Sequence, residues 1–315
     1  MYERIAQEMV EPGSVRRFLG ERTRCRYCGV TDLSAFGKRT NAHTFPAALG
    51  NRTLFSLDEC RACNGEFSVY EDALCKAVGP FLTLGGVRGR TGVRKTGLSG
   101  SKSTMRHAIL EGKRQLSIKA EGDANRLVGI NEATGLIKLT MPVEGDVFVP
   151  LYAYKALMKI GLSMLPFEEL PRFKGAIDSL ADRNAKPHGG PLQVGFSYAF
   201  VGNAPPALAG TLLRRRDIGS RSPYMIFLLM AGSVCFQVWL HSDDLDAHVP
   251  EAGRLGFRCE AQLPKPEGGY FPITYSDPLQ FDWSDMAPRL QPFEAFELTF
   301  NPQTTEGSFE PIPRR

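Results

Sequence analysis

Short apolar runs dominate the second half of the chain. VGFSYAFV, LAGTLLRR, YMIFLLMA, SVCFQVWLH and FEAFELTF are rich in β-branched, aromatic and aliphatic residues and are separated by Gly, Pro, Asn and Ser. That pattern predicts strands punctuated by turns. Residues 224 to 241 read as a hairpin about the Gly232-Ser233 turn, and LSIKA, RLVGI and GLIKLTMPV carry the β-rich reading back to about Gln115. Two stretches have the other period. In VPLYAYKALMKIGLSML, residues 149 to 165, apolar residues recur at helical spacing up to Pro166, and residues 168 to 182 suggest a second helix interrupted at Pro171. At the N-terminus YERIAQEM predicts a short helix that breaks at Pro12-Gly13. Strands and helices mixed in this way predict an α+β fold.

With 315 residues, 43% of them hydrophobic and 23% charged, the chain is long enough for two domains. Residues 1–84 and 120–315 form the expected units. The segment between them, 85–119, opens with GGVRGRTGVRKTGLSGSKSTMR, which has little apolar content and reads as a mobile basic loop or linker. Its charge is unlike that of the whole. It holds nine Lys or Arg against Glu111, a net of +8, whereas the full chain is only +4. Arg88, Arg90, Arg94 and Lys95 lead this segment and are expected to contact the phosphates of a nucleic acid. A basic lead-in (Arg16, Arg17, Arg22, Arg24) and RRRD at 214 to 217 with Arg221 are further basic clusters, the last divided between surface and contact. No apolar run approaches the roughly 18 residues that span a bilayer, and MYERIAQEMVEPG is acidic where a signal peptide would be apolar. The expectation is a soluble protein of the cytoplasm with no membrane partner.

Seven cysteines include two tight pairs, CRYC at 25 to 28 and CRAC at 60 to 63. Each Cys-x-x-Cys turn presents both sulfurs to one side, and two pairs within 39 residues suit tetrahedral zinc held by Cys25, Cys28, Cys60 and Cys63. Four thiolates complete the coordination, so that zinc would be structural. Cys75, Cys235 and Cys259 are isolated and are expected to be buried thiols. The 31-residue insert between the pairs exceeds the about 15 to 20 residues of a simple ribbon loop. It contains NAHTFPAALGN, in which His43 is the one histidine with a chemical context. After Cys63, NGEFSVYEDALCKAV has helical character, and Asn64 and Glu71, seven apart, share a helix face.

Taken together, C-x-x-C, AHTFPAALGN and C-x-x-C-N-x-x-F-x-x-x-E resemble the zinc-containing branch of the HNH endonucleases, over roughly residues 25 to 80. The resemblance implies a ββα-metal fold: two strands carrying the histidine, then a helix supplying polar ligands to one divalent ion, Mg²⁺ or Mn²⁺. By that resemblance His43 matches the general base, Asn64 the polar residue after the second pair, and Glu71 a recurrent helix acid. All three are candidate catalytic residues, with Asn64 and Glu71 as ligands of the catalytic ion. Asn64 has a second reading as the helix cap. The chemistry suits these types, since an imidazole titrating near neutrality takes a proton from water and a hard cation bears charge on the leaving oxygen. The sequence departs from the family pattern at Ala42, where many members carry an acidic ligand, and at SLDEC, where many carry Asn; Asp58, Glu59, Asn41 and Asn51 are the possible substitutes. The implied function is phosphodiester hydrolysis, with double-stranded DNA as the expected partner and the 120–315 domain as a recognition or regulatory unit answering to a small molecule or protein. The rival is a zinc-containing nucleic-acid-binding protein that does not cleave.

Overall fold

The computed structural model describes residues 2–11, 13–37, 41–89, 92–93, 96–97, 104–110, 113–119, 128–130, 133, 137–141, 146–200, 208–217, 219–247, 249, 274–275, 277–290, 296–300 and 307–311. In chain order the elements that position the site are β1 (Tyr2–Val10), β2 (Arg17–Leu19), β3 (Ala42–His43), β4 (Leu54–Ser56), α1 (Arg61–Ala77) and α2 (Gly79–Leu84). They are followed by α3 (Pro150–Met164), α4 (Lys174–Ala181), β5 (Gln193–Phe200), β6 (Leu208–Arg215), β7 (Met225–Ala231), β8 (Val234–Leu240), β9 (Thr274–Tyr275) and β10 (Leu279–Asp282). The fold is mixed α+β with few helices and a large antiparallel sheet ordered β1-β6-β7-β8-β5, with β9 and β10 both paired to β5. No described helix is long and apolar enough to cross a membrane.

The central strands form as their composition predicts. Every residue of β8 is buried, and Met230 alone of β7 is not, so these runs are apolar without alternation. They close on Gly232-Ser233, with Gly232 in the left-handed region (φ 60°) at the first central position, which glycine adopts without a Cβ clash. α3 lies across this sheet. A Cβ on Gly161 would sit 2.9 Å from Leu240 Cδ1 and 3.0 Å from Phe227 Cγ, so only glycine allows the helix this close. α1 packs along α3, through Tyr70 against Tyr152 (ring centroids 5.3 Å apart) among other contacts.

One expectation is corrected here. YERIAQEM is not a helix: Tyr2–Val10 is β1, paired antiparallel with β6 from Tyr2↔Arg215 to Val10↔Leu208. Eight residues of helical propensity are too few to hold a helix alone, and pairing along an exposed sheet edge prevails. The basic segment 85–119 contains regular structure. Its described residues include strands Arg88–Gly89, Gly92–Val93, Thr96–Gly97, Thr104–Leu110 and Lys113–Lys119, the last two a hairpin. One hydrophobic core also crosses the boundary drawn at residue 84, running from Phe45 and Leu54 through α1 and α3 to Phe196 and Val238. A fragment of residues 1–120 would therefore lose the strand that pairs β1 and the helix that packs α1. Calorimetry of that fragment is expected to show no cooperative transition, and a sharp one would mean that the N-terminal unit folds independently.

Candidate functional site

The strand-strand-helix stretch begins with β3 and β4, antiparallel with Ala42↔Ser56 and His43↔Phe55, while β2 runs parallel on the other edge of β4. The link between β3 and β4 is pinned by Asn51, fully buried: its Nδ2 donates to the Phe45 and Leu54 carbonyls (2.8 and 2.6 Å) and its Oδ1 accepts from the Thr53 and Leu54 amides (3.1 and 2.9 Å). All four hydrogen-bonding positions of that amide are filled by backbone. Asn51 therefore shapes the turn and has no capacity left for a metal.

The four cysteines converge. Their sulfurs all lie within 4.8 Å of one another, with Cys25 and Cys63 at 3.8 Å and Cys28 and Cys60 at 3.6 Å. A tetrahedron of sulfurs about 2.3 Å from zinc has edges of about 3.8 Å. The cluster could thus hold a structural metal such as zinc, and the thiols fit it. Backbone supports them: Cys60 N–H donates to Cys25 Sγ (3.4 Å) and Cys63 N–H to Cys60 Sγ (3.5 Å). The Cys63 thiol, hydrogen-bonded to Cys25, draws the Cys25 thiol down to about 4 against its burial. The same contact pushes Cys63 up, and burial pushes Cys60 up. Four sulfurs this close cannot all ionise unless a cation lies among them.

The second pair is built into α1. Cys60 is its N-cap, with the sulfur rather than Asn64 as the capping group, and Asn64 is an exposed residue of the first turn. The first pair is tied to α3 by the residues between its cysteines. Arg26, buried, donates from Nε to Asp58 Oδ2 (2.9 Å) and from Nη1 to the carbonyls of Leu162 and Leu165 (2.5 and 3.3 Å). Those carbonyls lie at the end of α3, where Leu162 O already accepts the Leu165 amide (3.3 Å), and a guanidinium there adds a charged donor that meets the negative end of the helix dipole. Tyr27 adds a hydrogen bond from its hydroxyl to the Lys159 carbonyl (3.2 Å) and an edge contact with Phe67 of α1 (4.9 Å). The cysteines of this turn face the metal position while its two interior side chains hold α3.

No protein-family model, curated protein or solved structure matches the chain.

Behind the cluster lies a group that the sequence reading missed. Lys159 of α3 is fully buried, and its Nζ lies 3.1 Å from each of Glu59 Oε2, Glu71 Oε1 and the His43 carbonyl. The contacts to Glu71 and His43 are hydrogen bonds; that to Glu59 is an ion pair, and Glu59 Oε1 is buried with no hydrogen-bond partner. Burial alone would pull the ammonium down, but the two carboxylates outweigh it and hold Lys159 above the usual lysine range. Burial pushes the Glu59 carboxyl up to about 7, countered in part by Lys159. One ammonium faces two carboxylates, of which Glu71 is 23% exposed and Glu59 fully buried. The signal for Lys159 was present: two lysines four apart, Lys155 and Lys159, within an apolar helix. Lys155 is buried too, donating to the Ser179, Asp182 and Arg183 carbonyls where α4 ends.

The structure brings some candidates together and leaves others apart. His43 and Glu71 meet through Lys159, the former by its carbonyl and the latter by its carboxylate. The imidazole lies against Phe55 with ring centroids 4.9 Å apart and planes tilted by 45°. Asn64 is two helical turns from Glu71, about 10.5 Å along the axis. The substitutes considered for the departed ligands are engaged elsewhere: Asp58 with Arg26, Glu59 with Lys159, and Asn41 Oδ1 with Arg22 (2.5 Å). Among the described residues no carboxylates gather around His43 into a cage for a hard cation. Arg88 is exposed, while Arg90, Arg94, Lys95 and Cys259 lie outside the described residues. Of the RRRD cluster, Arg214 binds Glu3 and Glu169, and Arg215 is buried against the carbonyls of Ser220 and Leu245, so these two are structural; Arg221 is exposed.

Proposed function

We propose that this chain acts on nucleic acid as an endonuclease of the HNH type, hydrolysing phosphodiester bonds of DNA, with the large sheet serving recognition or regulation. The observation that carries the reading is the convergence of four sulfurs from both sides of the His43 hairpin, at the start of the helix that follows it. In this proposal His43 takes the proton from the attacking water. Its place next to Phe55 limits the ring's rotation, and its strand is held by Lys159 through the His43 carbonyl. Asn64, exposed on the first turn of α1, is the candidate ligand without a competing partner among the described residues, whereas Glu71 is already bound to an ammonium. A Mg²⁺ or Mn²⁺ ion would supply charge stabilisation of the leaving oxygen.

The second reading, a zinc-containing nucleic-acid-binding protein that does not cleave, is favoured by a specific pair of observations. Ala42 offers no ligand beside His43, and Lys159 occupies Glu71. Incubating supercoiled plasmid with the full chain and Mg²⁺ or Mn²⁺ separates the two. Nicking or linearisation that falls at least about a hundredfold in His43→Ala, with metal content unchanged, is the result expected for a general base. Retarded but uncut DNA with every ion would instead support the binding protein.

A further inference from the structure

The three-stranded sheet β2-β4-β3 has two unlike faces. Leu54, Ser56 and Ala42 are buried on one, with exposures of 0%, 1% and 6%. The alternate residues point the other way, as strand geometry requires. There the register places Phe18 opposite Phe55 and Phe55 opposite His43, one ring from each strand in a single row. Phe18 and Phe55 are stacked at 5.8 Å, Phe55 and His43 lie at 4.9 Å, and Phe18 is 48% exposed. Water is a poor medium for a phenyl face, and three neighbouring rings on a small sheet, successive planes inclined at 29° and 45°, offer a ridge of aromatic surface to another π system.

Cationic groups flank the row. Arg22 is exposed and held at Asn41 Oδ1, two residues before His43, which sets a guanidinium at the imidazole end. Arg52, exposed three residues before Phe55, donates to the Gly89 carbonyl and so brings Arg88 of the basic segment to the same turn. Rings in a row with arginines at the margins match a polymer of bases and phosphates, each part meeting its complement.

We propose that Phe18, Phe55 and His43 form a stacking platform for single-stranded nucleic acid, with Arg22, Arg52 and Arg88 on its phosphates. The inference rests on the nucleic-acid reading above and narrows it. In a duplex the base faces are covered by their neighbours, so a row of rings can stack only on bases that have left the stack. Sheet-based readers of single strands stack two or three bases on comparable rows. A strand lying on the two phenyl rings passes its next phosphodiester beside the imidazole, which joins the platform to the proposed base.

The test is fluorescence anisotropy of the full chain with a short labelled oligothymidylate and with a duplex of equal length, at about 0.1 M salt. The single strand is expected to bind at least about tenfold more tightly, and Phe18→Ala to weaken it by about tenfold, with a smaller loss on the duplex. Phe18→Trp restores the affinity, and the salt slope of Phe18→Ala stays that of the parent because no phosphate contact is removed. Unchanged metal content and circular dichroism in Phe18→Ala exclude misfolding as the cause. Equal affinity for the two forms, an unaffected Phe18→Ala, or a concentration-dependent dimer that Phe18→Ala abolishes would each overturn the platform. Duplex binding without a single-strand preference sinks the platform and leaves the nucleic-acid reading standing. Binding of neither form removes both.

Discussion

Replacing Cys60 by Ser is expected to abolish metal binding and lower the midpoint of thermal unfolding by about 10 °C or more. Cys60 has two roles at once. Its sulfur is one of four within 4.8 Å and also the N-cap of α1, accepting the Cys63 amide. Serine keeps a cap but cannot replace a thiolate at a soft site. Three sulfurs then remain close together without the cation that offsets their charge. Structural zinc contributes on the order of 10 kcal/mol in domains that lack any other core. Here the shared core reduces that contribution, and about 4 kcal/mol lost corresponds to the stated shift at 2–4 °C per kcal/mol. The loss should also be local. Hydrogen exchange is expected to rise at residues 41–64 while β7 and β8, deep in the large sheet, stay protected. Uniform loss of protection, or none, would show that the cysteines are not the clamp described here. Chelation of the parent protein should reproduce the pattern.

Lys159→Met should cost about 3–5 kcal/mol of stability, measured by urea unfolding. The side chain is fully buried and so is that of Glu59. Removing the ammonium leaves one buried carboxyl with neither charge partner nor hydrogen bond and a second, Glu71, without its principal contact. It also frees the His43 carbonyl from its hydrogen bond. Methionine matches the lysine stem in length, so packing alone predicts a loss below about 1.5 kcal/mol. The size of the effect therefore separates an electrostatic hub from a filler. Lys159→Met combined with Glu59→Gln is expected to recover a large part of the loss, because a neutral amide no longer demands a counter-charge. Additive losses would mean that the two side chains do not interact. Glu71→Gln should be milder than Glu59→Gln is restorative, since water reaches Glu71.

These two expectations concern the same assembly from opposite sides, and they differ in how visible they were in the amino-acid pattern. The cysteine pairs were legible because each is local, and a Cys-x-x-Cys turn fixes where its sulfurs point. α3 and the hairpin about Gly232 were legible too, one from its period and its stop at Pro166, the other from unbroken apolar runs around a glycine turn. β1 was not. Its residues favour a helix, and its strand exists because β6, about 200 positions later, offers an unpaired edge. Arg26 and Lys159 were hidden for the same reason: their partners, Leu162 for the first and His43 for the second, are more than 100 residues distant. The ring row was visible only at His43, which was read as lying in an extended stretch, while the register that adds Phe55 and Phe18 depends on the pairings of β4 with β3 and β2. Local chemistry can be read from spacing, whereas a site closed by a helix from elsewhere in the chain needs the fold.

X-ray absorption at the zinc edge of the purified full-length protein tests the centre of this account most directly. One zinc per chain with four sulfurs at about 2.3 Å and no nitrogen or oxygen neighbours is the predicted result. A chain that retains no zinc, or a spectrum with fewer than four sulfurs, would contradict it.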